Sequence, residues 1–200
     1  MGVSILKKRL IEFLAISGMV VLSFLVFLVD IFILKNTVTE ISLTEFVQEV
    51  ILILIAGIFI YLAFQHPEVK YGMVLIAGFF CSLLIRELDF LLDTIFGSWL
   101  YVALPVALFC IVLAVRHKEN VLFGLNHFCK SDSYYVMACG LIMVLVFSRL
   151  IGMQILWRQL LKASYIRVVK NAMEEGSELV CYTLCLISAW KYKGSFAAER

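Results

Sequence analysis

Six runs of mostly apolar residues divide this chain of 200 residues, at 10–34, 44–64, 71–92, 95–115, 134–156 and 168–190. About 20 such residues are needed to cross a hydrocarbon core roughly 30 Å thick. Inside that core each segment must satisfy its own backbone hydrogen bonds, so the runs are read as helices. The expected fold is therefore all-α: a polytopic transmembrane bundle of about six spans, forming a single integral membrane domain over 1–200. Composition agrees. Hydrophobic residues make up 63% and charged residues 16% of the chain, against about 45–50% and 25% in soluble domains. A soluble fold of this size has too little interior for that much apolar surface.

The first run follows Lys7, Lys8 and Arg9. It is longer than a signal-peptide core and no small-x-small cleavage site follows it, so it reads as an uncleaved anchor. Six spans place both termini on one side. With the N-terminus in the cytoplasm, the inner positions hold Lys7, Lys8, Arg9, Lys70, Arg116, Lys118, Lys130, Lys191, Lys193 and Arg200, ten of the 17 basic residues. That bias favours the inner (plasma) membrane with cytoplasmic termini. The outer loops carry Lys35, Arg158, Lys162, Arg167 and Lys170. Residues 154–170 are expected as a helix lying in the outer interface, with Trp157, Leu160, Leu161 and Tyr165 toward lipid. The stretch 116–132, with His117, His127 and Cys129, reads as a solvated loop, because that spacing fits no zinc template.

Acidic residues collect on the other side. Asp30, Glu40, Glu45, Glu49, Glu87, Asp89, Asp93, Glu174, Glu175 and Glu178 all fall at outer positions, ten of the 15 acids. Several cannot be moved into loops. From Leu179 to Trp190 there are too few residues to span, so the last helix reaches back through Glu178 to Glu174. At about 100° per residue, Arg86, Asp89 and Asp93 share a face, as do Glu45 and Glu49. Asn171, Glu174, Glu178, Cys181, Cys185 and Ser188 form one stripe on the last span. Charge near the bilayer centre costs at least ~2.5–3.5 kcal/mol per group, so such faces turn toward protein or water. The expected result is an outward-facing pocket of Glu49, Arg86, Asp89, Asp93, Arg149, Glu174 and Glu178. Glu45, Glu87, Glu175 and Asn171 stand as second choices.

Two arginines against about six acids leave excess negative charge, which must be protonated, solvated or bound to a cation. The first reading is a pocket for a cation or a polar lipid headgroup. Asp89 and Glu178 are its first candidates for contact with a hard divalent cation such as Mg²⁺, Ca²⁺ or Mn²⁺, since oxygen-only ligands suit those ions. A small proton- or cation-coupled transporter is a second reading. A metal-dependent membrane-embedded hydrolase is a third. In the fourth, the chain is a structural or partner subunit whose ion pairs only hold helices together. The lipid bilayer is the expected partner, with a second copy or another membrane protein beside it. A net charge of +2 gives no field for nucleic acid. The six cysteines form no CxxC pair and read as buried thiols.

Overall fold

A computed structural model describes residues 2–34, 42–162 and 167–198. Lys35, Glu40, Tyr165 and Arg200, placed in loops, at an interface or at the terminus above, lie outside those residues. Among the described residues every regular element is helical: α1 (Gly2–Phe32), α2 (Leu43–Gln65), α3 (Lys70–Glu87), α4 (Asp89–Phe96), α5 (Leu100–Arg116), α6 (Lys118–Lys130), α7 (Tyr134–Ile142), a π-helical turn (Met143–Phe147), α8 (Ser148–Ile151), α9 (Gln154–Leu161) and α10 (Arg167–Ala198). Three helical stretches, Ile5–Phe32, Leu43–Gln65 and Tyr134–Ile151, are long and apolar enough to cross a membrane. A fourth is added if α4 and α5, bent by 105°, count as one span.

Four expectations need correction. The run at 71–92 is not one helix. α3 ends at Glu87, Leu88 takes φ −85° and ψ 17°, and α4 begins at Asp89. The run at 95–115 is divided too. Gly97, at φ 79°, closes α4 with a left-handed turn, and Asp93 Oδ1 accepts the Trp99 N–H at 2.6 Å. A side chain would disfavour that φ, so glycine is required there. The stretch 116–132 is not a loop: thirteen of its residues form α6. Val121, Gly124 and Phe128 are buried at spacings of 3 and 4, an amphipathic helix packed on protein. The interfacial helix expected at 154–170 is shorter, since α9 ends at Leu161 and 167–170 belong to α10.

The chain forms two compact units. The first comprises 1–46 and 139–187. In it the Ser23 and Thr183 hydroxyls lie 2.6 Å apart, and Phe27 packs against Gly176. The start of α2 is fixed twice. Ser42 Oγ accepts the Glu45 N–H at 3.1 Å, the N-terminal half of an S-x-x-E capping box. Asp30, fully buried, accepts the Thr44 N–H at 3.0 Å and its hydroxyl at 2.8 Å on Oδ2, placing a carboxylate at the positive end of the helix.

The second unit comprises 47–138 and 188–200. Its core gathers around Phe59, whose ring meets Phe80 at 6.3 Å, Phe128 at 5.9 Å and Tyr192 at 6.1 Å between centroids. α3 crosses α6 at Gly72 and Gly124, where a Cβ on Gly72 would lie 2.9 Å from the Gly124 Cα. Glycine on both helices lets the backbones approach, as small residues do in membrane helix pairs. Gly78 likewise leaves room for the Cys110 thiol of α5.

Candidate functional site

The charged cluster of the first unit is built by α8 and α10. The π-helical turn ahead of α8 sets its geometry. Gly140 faces the Cys181 carbonyl and Cys185 of α10, and Ser148 faces Glu178. On an uninterrupted α-helix, eight residues would separate these two positions by about 80°. The wide turn at Met143–Phe147 absorbs about one residue, and the two positions return to one face.

Arg149 then reaches two carboxylates. Its Nη1 donates to Glu174 Oε1 at 2.9 Å, and its Nη2 to Glu178 Oε1. Ser148 Oγ lies 3.1 Å from that same Glu178 oxygen and 2.6 Å from the Val144 carbonyl, so its proton serves one or the other. Lys170, one turn before Glu174 on α10, holds Glu174 Oε2 at 2.6 Å. The cluster is graded in depth: the Glu178 side chain is 2% exposed, Glu174 13% and Arg149 44%. Gly152 closes it from α8's end. A Cβ there would come within 2.6 Å of the Glu174 carboxyl carbon, so the absence of a side chain is what admits the carboxylate. Two cations meet two carboxylates, and the charge of these four groups balances. Asn171 and Glu175, half-buried on α10, stand beside this stripe.

The remaining predicted residues are placed differently. Glu49, Arg86, Glu87, Asp89 and Asp93 belong to the second unit. Arg86 pairs with its neighbour Glu87. Asp89 and Asp93 are exposed, and Asp93 is engaged with the Trp99 backbone. The face drawn through Arg86, Asp89 and Asp93 assumed a continuous helix, which the break at Leu88 interrupts. On α2 the buried stripe is Thr44, Gln48, Leu52, Ile55 and Phe59, one residue round from Glu45 and Glu49, both half-buried. Among the described residues no group of three or more His, Cys, Asp and Glu side chains is arranged to hold a metal ion. Asp89 and Glu178, the expected cation ligands, lie in different units.

Sequence reasoning passed over four buried polar residues: Thr44, Gln48, Ser148 and Thr183. A signal existed for two of them. Thr44 and Gln48 share a helical face with the apolar residues that follow, and a polar pair on such a face must find partners. Ser148 carried no visible signal, because the π-helical turn that aims it breaks the period by which faces are counted.

Comparison with known protein families, with characterised proteins and with solved structures finds no match.

Proposed function

We propose that the chain is a structural or partner subunit of the inner (plasma) membrane, with six spans and cytoplasmic termini, whose buried ion pairs lock helices together. The single observation that carries this is the packing around Glu178: a buried carboxylate whose charge is met by Arg149, beside a Glu174 that fills the space over Gly152. Excess negative charge was the argument for a cation, and these four groups have none. The three apolar helical stretches and the bent pair support insertion in a membrane. α3 and α10, apolar through their middles, supply the other spans of this reading.

A second reading, a site for a polar lipid headgroup, draws on the exposed side of Arg149. One comparison separates the two. Glu178→Gln lowers the unfolding midpoint of the detergent-purified protein, and neither Mg²⁺, Ca²⁺ nor anionic lipid affects the difference, if the cluster is a lock. A variant as stable as wild type that has lost a response to ion or lipid establishes the binding site instead. Reporter fusions after Phe96 and Lys130 test the topology: an outer and an inner reporter, respectively, are expected. The reverse pattern, or both on one side, overturns the six-span arrangement.

A further inference from the structure

Away from the cluster on α8 and α10, the second unit carries a cavity of about 380 Å³ where the end of α6, the start of α7 and the end of α10 meet. Its basic side chains are Lys130 from the last turn of α6 and Lys191 from α10, and His127 shares the lining. We propose that this cavity binds an anionic phosphodiester, the headgroup phosphate of an acidic phospholipid being the occupant it fits.

Three observations support this. The first is the histidine. His127 Nδ1 lies 2.8 Å from the hydroxyl of Tyr192, a residue with no exposed surface. The ring also stacks on Phe196 at 5.1 Å between centroids. With Nδ1 against the phenol hydroxyl, Nε2 is the ring nitrogen that remains for a ligand, and it donates in the tautomer in which the phenol gives its proton to Nδ1. The ring itself is already held in place. Fixed donors recognise an anion at a lower entropic cost than mobile ones.

The second is the charge. Asp132 also lines the cavity, so two lysines stand with one carboxylate, and these three groups together carry a net charge of +1. That matches the single negative charge of a phosphodiester better than the double charge of a free phosphate monoester. The helical stretch Tyr134–Ile151 also begins at this cavity, and a helix N-terminus favours an anion.

The third is the setting. Trp190 and Tyr61 flank Lys193, whose Nζ lies 5.2 Å and 4.8 Å from their ring centroids. Aromatic rings beside a lysine at the end of an apolar helix mark the headgroup level of a bilayer. Lys191 is the residue after Trp190. A basic pocket at that level, between helices, is where acidic headgroups bind.

The test uses the full-length protein in a neutral detergent. Its thermal midpoint is followed while didecanoyl-phosphatidylglycerol is added. Didecanoyl-phosphatidylcholine and soluble glycerol-3-phosphate run in parallel. A saturable rise with phosphatidylglycerol is expected, weakened about tenfold or more in Lys130→Gln, which loses one charge-assisted contact. Arg116→Gln/Lys118→Gln, which removes charge elsewhere at the same end, leaves the affinity unchanged. A saturable rise with glycerol-3-phosphate as strong as that with phosphatidylglycerol, or stronger, overturns the phosphodiester as the occupant. Lys130 is exposed at a helix end, so this variant folds even if Lys130→Gln/Lys191→Gln does not. No saturable rise with either probe, an equal rise with phosphatidylcholine, or a Lys130→Gln affinity equal to wild type overturns the proposal.

Discussion

Neutralising Arg149 harms the fold more than neutralising Glu178. Arg149→Gln leaves Glu178 buried at 2% exposure, with the Ser148 hydroxyl 3.1 Å from its Oε1 but without the guanidinium. Removing one partner of a buried ion pair costs about 3–5 kcal/mol, because the other charge is left uncompensated. Glu178→Gln is gentler. Arg149 keeps Glu174 at 2.9 Å and is 44% exposed, so water reaches the freed nitrogen. The loss is then one hydrogen bond to a charged group, about 1.5–3 kcal/mol. Arg149→Gln/Glu178→Gln removes both charges together and is more stable than Arg149→Gln alone. The coupling energy of this cycle falls in the range of about 0.5–3 kcal/mol seen for residues in contact. Unfolding of the purified variants in mixed micelles, titrated with a denaturing detergent, measures all four corners. Equal costs for the two single variants, or strictly additive costs in the double, would refute the reasoning.

Two further predictions concern the scaffold. Ser42→Ala removes the cap on the Glu45 N–H and lowers stability by about 1 kcal/mol, read by the same titration; no change would mean that Asp30 alone fixes the start of α2. Gly78→Ala places a methyl against the Cys110 thiol. Overpacking of about 1–3 kcal/mol outweighs the gain in helix propensity of at most about 1 kcal/mol, and Gly78→Ala/Cys110→Ala recovers part of the loss. A stabilised Gly78→Ala variant would show that α3 and α5 are not in close contact there.

The long elements were legible in the sequence because apolar length alone defines them. The run at 44–64 and the helix Leu43–Gln65 agree to within a residue at each end, since Ser42 opens the helix and His66 and Pro67 close it. Of the seven residues expected in one pocket, Arg149, Glu174 and Glu178 meet in the first unit, and Glu49, Arg86, Asp89 and Asp93 belong to the second; charges inside an apolar run must find partners, but the run alone does not say which. The spacing of Glu174 and Glu178 on α10 is helical, and no other feature intervenes. What failed depended on interruptions. A single residue at Leu88 and a left-handed Gly97 redirected the acids of α4, which hydropathy averages do not register. α6 was read as a loop because charge at Arg116, Lys118 and Lys130 ended the search for a span. Yet Val121, Gly124 and Phe128 carried the period of a helix packed on protein rather than in lipid.

The π-helical turn at Met143–Phe147 makes the polar lock tolerant of a change in chain length. Deleting one residue from it, Leu145 for example, would restore an ordinary α-helix with every side chain of α8 intact. Gly140 and Ser148 would then stand seven residues apart, about 20° from alignment, so Ser148 and Arg149 would still face the two glutamates. Losing a second residue would break the match: six residues put the two positions about 120° apart, and the ion pairs would be lost with all the charges still encoded. A single-residue insertion is the simplest origin for the wide turn. On that history, the segments before and after it were in step from the start, and the turn took up the added residue so that the arginine kept its carboxylates.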